Sequence, residues 1–313
     1  MDRRELLMVG PLAAAAAAEI EKDVIVHRYW EAADKPALLA SLADRVTLVA
    51  TSGHHGCSAD IMEALPKLEL IASFGVGYDA VDVAAARRHG IRVTNTPDVL
   101  NDCVAEMTLA LMLAACHRIP QADRYVRDGL WSSANFPLTP ELTGRTVGIL
   151  GLGRIGKEIA RRLQVFKMQV VYHGRHRQEH EPFPYYADLA EMARDVDWLV
   201  VIAPGSASTS GIVSRAVMQA LGPEGTLVNM ARGSLVDEPA MIELLTSGAL
   251  GGAALDVFAN EPEVPAALRA LPNVVLSPHQ GSATHKTRAA MGATVVANLR
   301  AHMRGDPLVS PVA

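Results

Sequence analysis

Short apolar runs alternate with stretches of helical periodicity along the whole chain. In the first third the runs "LLMV", "VIVHRYW", "VTLVAT", "LELIASF" and "IRVTN" carry little polar alternation, the pattern of strands buried on both faces of a parallel sheet. Helical patterns such as "SADIMEAL" and "DAVDVAAARRHG" separate them, the second with Gly90 placed as a left-handed cap. A second series begins at "TVGILG" and continues through "QVVYH", "DWLVVIA", "GTLVNMA", "GAALDVF" and "NVVLSPH". Strand and helix in repeated alternation predict α/β architecture, and two series predict two parallel sheets covered by helices. Between the series, "VLNDCVAEMTLALMLAACHRI" (99–119) is apolar nearly all round, which predicts a helix buried on several sides at a domain or subunit interface. A last helix is expected over roughly 283–304.

At 313 residues the chain is long enough for two domains, each with its own core. A formal net charge of −5 gives no general attraction to nucleic acid or to an acidic membrane, so any basic patch serves a local purpose. Cys57, Cys103 and Cys116 are odd in number and lack metal-type spacing, so neither a disulfide scaffold nor a metal site is expected, and a cytoplasmic, reducing location fits. The start, "RRELLMVGPLAAAAAAEI", has the parts of a secretory signal, but Glu5 interrupts its basic region and Pro11 its apolar run. A strand, a Gly10-Pro11 turn and an Ala-rich helix are expected instead. No other stretch is apolar enough to span a membrane.

"TVGILGLGRIGKEIARRLQVFKMQVVYHGRHR" has the form of a βαβ unit with Gly151, Gly153 and Gly156 at the turn from strand to helix. Their roles differ: Gly151 permits the tight turn, Gly153 lets a pyrophosphate approach the backbone, and Gly156 lets helix and strand pack closely. The start of the helix then offers N–H groups and a positive dipole end to phosphates. About twenty residues on, a carboxylate would bond the ribose 2′-hydroxyl of NAD. Here Gly174, Arg175, His176 and Arg177 occupy that place. Arginine offers a planar fork of donors to a 2′-phosphate, so the stretch predicts NADPH/NADP in preference to NADH; the alternative is a solvated charged loop, since "RHRQEH" mixes signs.

Ligands of open α/β sheets gather beyond the carboxyl ends of the strands. Arg232 follows "LVNMA", Glu261 follows "ALDVF" and His279 follows "VVLSP". Each alone has a plain structural explanation: a helix salt bridge, a turn before Pro262, a structural histidine. Together they supply what reduction of a 2-oxo acid needs. Arg232 can bind the carboxylate and polarise the adjacent carbonyl. His279 can protonate the carbonyl oxygen, and Glu261 beside it would favour the imidazolium.

"GLGRIG", "NMARGSLVDEPAMIELLTSG", "ALDVFANEP" and "LSPHQGSAT" resemble the D-2-hydroxyacid dehydrogenase family. The likeness extends through "FGVGYDAVD", "GIRVTNTPDVLNDCVAEMTLALML" and "YVRDGLW". With "HGRHR" it is greatest to the NADPH-dependent glyoxylate, hydroxypyruvate and hydroxyphenylpyruvate reductases. The resemblance implies two Rossmann-like/flavodoxin-like parallel-sheet domains with the active site in the cleft between them. A substrate domain would span 1–99 and be completed by 286–313, and an NADP-binding Rossmann domain would span 100–285. It also implies catalytic Arg232, Glu261 and His279. Cofactor contacts are implied from Leu152, Gly153, Arg154 and Ile155, from Gly174 to His176, from Met230, Ala231 and Arg232, and from Asp256 at the nicotinamide amide. The alternative for Asp256 is a turn cap. In "FGVGYD" the backbone N–H groups of Val76 and Gly77 are expected to form a small anion nest for the substrate carboxylate, with a plain glycine turn as the alternative.

Two departures from the family pattern limit the transfer. "PGSASTSGIVS" replaces the form usual after the threonine, so only Thr209 is carried over there. "TSGHHG" is no family motif, and His54 and His55 receive no chemistry. A homodimer is implied, with Trp131 either approaching the partner's site or buried in the core. The expected activity is NADPH-dependent reduction of small 2-oxo acids to D-2-hydroxy acids. The alternative is a cofactor-sensing regulatory protein like the corepressors that share the fold, disfavoured because no added interaction domain is seen. Formate dehydrogenase is weaker still, since that relative has glutamine where Glu261 stands.

Overall fold

Runs with no polar face form the inner strands of two parallel sheets. The computed structural model describes residues 3–312, so the extreme ends of the expected first domain, 1–2 and 313, lie outside the described residues. The backbone divides into two units, one running to Leu100 and resuming at Ala283, the other Asn101–Ser282.

In the first unit β1 (Glu5–Met8), β2 (Ile25–Arg28), β3 (Val46–Ser52), β4 (Leu70–Phe74) and β5 (Arg92–Thr94) pair in parallel in the order β2-β1-β3-β4-β5. This is a flavodoxin-like order. Helices α1 (Ala14–Asp23), α2 (Lys35–Leu42), α3 (Ala59–Ala64) and α4 (Val83–Arg88) connect the strands. Leu6, Leu7, Leu48, Val49, Leu70 and Ile71 lose all contact with solvent. Asp34 and Asp82 start α2 and α4 by accepting from the N–H groups of Ala37 and Ala85 at 2.9 and 2.8 Å. "VIVHRYW" is not a strand throughout. Met8↔Arg28 is the last pair between β1 and β2, and beyond it Tyr29–Glu31 coil into a short 3-10 turn. With β1 ended there is no ladder left for residues 29–30 to join.

The second unit opens with α5 (Asn101–Cys116) and α6 (Ile119–Arg127), which meet at a bend of 58°. The expected continuous helix over 99–119 breaks because Arg118 takes a left-handed φ of 50° and Pro120 removes a donor in the next turn. Then follow β6 (Thr146–Leu150), α7 (Arg154–Val165), β7 (Gln169–His173), β8 (Tyr185–Tyr186), α8 (Leu189–Arg194) and β9 (Trp198–Val201). The unit continues with α9 (Arg215–Leu221), β10 (Thr226–Asn229), α10 (Glu238–Ser247), β11 (Gly252–Leu255), α11 (Ala266–Ala270) and β12 (Val274–Leu276). The seven strands are parallel in the order β12-β11-β10-β9-β6-β7-β8. Strand order reverses between β6 and β9, the switch point at which such sheets bind ligands. The two-residue β8, too short to leave a period, was not expected. α5 buries Val104, Thr108, Leu111 and Met112 and packs on α7 and on β10 to β12, so most of its apolar character serves its own unit.

The chain returns to the first unit as α12 (His285–Arg304), packed on α1 and β4. Beyond it, Pro311 bridges Thr94 in antiparallel fashion and the Val312 N–H donates to the Val93 carbonyl at 2.9 Å, so the last described residues lie along the edge of β5. Cys57, Cys103 and Cys116 are free and buried, and burial pushes the Cys57 thiol up to about 12. Among the described residues no single helix is long and apolar enough to cross a membrane.

Candidate active site

The glycine-rich turn lies between β6 and α7, and each of its glycines meets a different constraint. Gly151 has φ 103°, and a Cβ on it would fall 2.8 Å from the backbone of Ala203 beyond β9. A Cβ on Gly156 would meet the Gly151 carbonyl oxygen at 2.3 Å, so no side chain fits where α7 leaves the turn. At Gly153 a Cβ would meet nothing within 4 Å: the space over the turn is open. Gly153 is also the N-cap of α7 and supplies no side chain to its first N–H groups. Open space beside an uncapped helix start is what a pyrophosphate requires, so these residues fit a bound dinucleotide.

After β7 the chain turns outward through Gly174, Arg175, His176 and Arg177, the last three exposed. The loop is fastened at both ends. The Tyr185 hydroxyl donates to the Gly174 carbonyl at 3.1 Å, and the Gln178 N–H donates to the Tyr172 hydroxyl at 2.6 Å. The Gln178 side-chain amide reaches back to the Leu152 carbonyl at 2.7 Å, tying this loop to the glycine-rich turn. Glu181 is paired with Lys157 at 2.8 Å. No carboxylate stands within 174–177. After β9, Thr209 donates its hydroxyl to the carbonyls of Pro204 and Ser206 at 2.8 and 3.2 Å and so holds its own turn.

Arg232, Glu261 and His279 follow β10, β11 and β12, three neighbouring strands whose carboxyl ends share one side of the sheet. Asn229, at the end of β10, shapes the first of these turns. Its side chain accepts from the Ala231 N–H at 3.1 Å and donates to the Arg232 carbonyl at 2.9 Å, bracketing Met230 to Arg232. Next, Gly233 lies so close to the segment after β11 that a Cβ would fall 2.0 Å from the Phe258 carbonyl. That segment is held by two carboxylates: buried Glu238 accepts from the Ala259 N–H and Glu261 from the Phe258 N–H, each at 3.0 Å. The other Glu261 oxygen lies 2.7 Å from His279 Nδ1.

Asp256 fixes the turn that carries the histidine. Its carboxylate is buried and accepts from the Ser277 hydroxyl at 2.6 Å and from the Gln280 and Gly281 N–H groups at 2.7 Å each, while its carbonyl accepts from the His279 N–H at 2.8 Å. His279 is thereby held at φ 54°. Its side chain remains 44% exposed against 20% for Glu261, so the imidazole is the accessible member of the pair. Burial opposes ionisation of Glu261. The hydrogen bonds from His279 and the Phe258 N–H, with the charges of His279 and Arg232, outweigh it and hold the carboxyl below its usual range.

A family model for the D-isomer specific 2-hydroxyacid dehydrogenase NAD-binding domain matches residues 109–281. Hydroxyphenylpyruvate reductase of Plectranthus scutellarioides is 44% identical over 312 residues, covering all of both chains. Glyoxylate/hydroxypyruvate reductase A of Arabidopsis thaliana is 43% identical with the same coverage. The chain belongs to the D-isomer specific 2-hydroxyacid dehydrogenase family. The solved NADPH-dependent glyoxylate/hydroxypyruvate reductase of Sinorhizobium meliloti, in complex with NADP and malonate, superposes on this dehydrogenase with a TM-score of 0.95 at 45% identity, covering 100% of this chain and 97% of that one.

In the other unit of the dehydrogenase, Val76 and Gly77 follow β4 in a half-buried turn, and among the described residues neither N–H donates to a protein acceptor. Gly53, in "TSGHHG", donates its N–H to the Phe74 carbonyl at 3.2 Å, which sets that segment beside the start of the turn. His55 lies over Gly10, where a Cβ would strike its ring, and it is held by Ser52 at 2.9 Å. Trp131 is 66% exposed in this chain, so the buried-core alternative is excluded within the single chain. Asn229, Glu238 and Gln178 shape the site and were not singled out from sequence. The Asp237-Glu238-Pro239 helix start was the one available signal for Glu238.

Replacing Glu261 by Gln is expected to lower stability at neutral pH, by an amount that shrinks on acidification. The folded carboxyl titrates below its unfolded value of about 4.3, so its contribution is complete above that value and is lost as pH falls through the folded one. Urea unfolding at neutral pH and near about pH 3 measures this, and an unchanging difference between the two proteins would contradict it.

Proposed function

We propose that the chain is an NADPH-dependent reductase of small 2-oxo acids, glyoxylate and hydroxypyruvate first among them, in which His279 is the proton donor and the product is the D-2-hydroxy acid. The observation that carries this reading is the 2.7 Å bond between His279 Nδ1 and a Glu261 carboxylate on which the Arg232 charge also bears. When bound, the reduced nicotinamide supplies hydride to the substrate's carbonyl carbon. Arg232 takes the substrate carboxylate and polarises the carbonyl. Glu261 accepts from Nδ1 and so leaves Nε2 to hold the proton that passes to the carbonyl oxygen as hydride arrives. The neutral imidazole then regains its proton from solvent. N–H groups of Val76 and Gly77 add donors for the carboxylate.

For the cofactor, Gly151 to Gly156 would receive the pyrophosphate, Met230, Ala231 and Thr209 would line the nicotinamide side, and Arg175, His176 and Arg177 would take the 2′-phosphate. The Asp256 oxygen that accepts only the Gly281 N–H retains a lone pair for the nicotinamide amide. Preference for NADPH is supported by two guanidinium groups within residues 174–177, a stretch without a carboxylate, and by the S. meliloti relative, named NADPH-dependent and solved with NADP. The glyoxylate, hydroxypyruvate and hydroxyphenylpyruvate reductases among the relatives support the substrate class. A cytoplasmic homodimer completes the proposal. The homodimer is supported by the exposed apolar side chains of Ile119, Val126, Leu130, Trp131 and Leu138, gathered in one stretch of chain.

Oxidation of NADPH, followed by absorbance with glyoxylate, hydroxypyruvate, hydroxyphenylpyruvate and 2-ketogluconate, tests the activity. Inertness toward all four would return the protein to the regulatory alternative. His279→Ala should lower kcat by about 10²–10⁴-fold with NADPH affinity unchanged, and near-normal turnover would remove His279 from its role.

Neutralising Arg175 and Arg177 together should cut the NADPH-to-NADH ratio of kcat/KM by about 100-fold, roughly tenfold for each charge-assisted contact. Equal use of both cofactors by the parent enzyme would overturn the preference. Light scattering at micromolar concentration should report a dimer, and a monomer there would refute the assembly.

A further inference from the structure

The last described residues of the chain reach the turn after β4 through an unbroken line of buried side chains. Asn298, on α12, is fully buried. Its side-chain oxygen Oδ1 accepts from the N–H groups of Val309 and Ser310 at 3.0 and 3.2 Å, and its side-chain amide Nδ2 donates to the Ser310 hydroxyl at 2.9 Å. That hydroxyl spends its one proton on the Asn95 carbonyl at 2.6 Å, and the Asn95 N–H donates to the Ser310 carbonyl at 3.3 Å. Asn95, itself 6% exposed, then donates its side-chain amide to the Val76 carbonyl at 2.9 Å. Alongside, Thr96 grips the preceding residue twice: its N–H donates to the Gly75 carbonyl at 2.9 Å and its hydroxyl accepts from the Gly75 N–H at 3.0 Å.

The direction of these bonds gives them a consequence. In a trans peptide the C=O of one residue and the N–H of the next lie in one plane and point opposite ways. Holding the Gly75 carbonyl on Thr96 therefore aims the Val76 N–H away from Thr96. Holding the Val76 carbonyl on Asn95 aims the Gly77 N–H away from Asn95. Among the described residues neither of these two N–H groups donates to a protein acceptor. Gly75 sits at φ 144°, a conformation that side-chain-bearing residues rarely adopt, so the turn is not fixed by local preference alone.

We propose that Asn95, locked by Ser310 and Asn298, is a positioning residue that orients the Val76 and Gly77 N–H groups toward the substrate carboxylate. The proposal rests on the assignment of those two groups to the carboxylate. It predicts a cost in oxo-acid binding and none in cofactor binding, because every member of the line lies in the first unit.

The test uses the full-length enzyme with Asn95→Ala, Ser310→Ala and the hydroxyl-retaining Ser310→Thr, and oxalate as an unreactive carboxylate probe. In Asn95→Ala and Ser310→Ala, amide exchange of the 74–78 segment should quicken. KM for glyoxylate and Kd for oxalate should rise by about tenfold, with kcat and the Kd for NADPH within about twofold of the parent. Ser310→Thr should restore the parent values, and Ser310→Ala covers the case in which Asn95→Ala fails to fold. Unchanged exchange in the folded alanine variants overturns the proposal, as does a parent-like Kd for oxalate in a variant whose 74–78 segment exchanges faster. Failure of the underlying assignment looks different: oxalate would then not slow exchange of 74–78 even in the parent enzyme.

Discussion

A buried carboxylate must find donors or give up its charge, and Asp256 finds its donors in the turn that carries the candidate proton donor. Three bonds to the side chain and one to the main chain leave residues 277–281 no freedom to relax, and they hold His279 in the left-handed region, at a cost of order 1 kcal/mol. The neighbouring turns are fixed by the same kind of contact, Asn229 around Arg232 and Glu238 behind Ala259. The accessible imidazole, with the guanidinium and carboxylate beside it, thus stands on a second layer of buried side chains that hydrogen-bond the turns. Such a layer keeps a constellation in place without help from a ligand.

Much of this was legible in the order of residues. Apolar runs marked eleven of the twelve strands among the described residues because parallel sheets bury both faces of a strand, and the topology then put Arg232, Glu261 and His279 at neighbouring strand ends. The glycine-rich turn could be read because each glycine answers a separate steric demand. The rest depends on partners remote in sequence. Nothing near Asn298 announces that it will hold Ser310, and nothing in "RHRQEHE" marks Gln178 as the residue that returns to Leu152. The break at Arg118 was obscured by the apolar pattern that runs through it, although Pro120 stood two residues further on.

The Gln178 bond joins two parts of the candidate cofactor site that sequence treats as separate motifs. The loop with the arginines hangs from the Leu152 carbonyl inside the glycine-rich turn, and from the Tyr172 hydroxyl at the end of β7. A charged loop tethered in this way loses less entropy when it closes on an anion than a free one does, so the selectivity proposed for the ribose would rest on the framework as well as on the guanidinium groups.

The segment along β5 has one more effect. An outer strand with vacant N–H and C=O groups is a template on which another polypeptide can build. Pro311 and Val312 occupy that template from within, and the proline brings no N–H of its own to continue the ladder outward. The first sheet is therefore shielded on this flank from strand addition by other molecules, through the same few residues whose serine reaches the turn after β4.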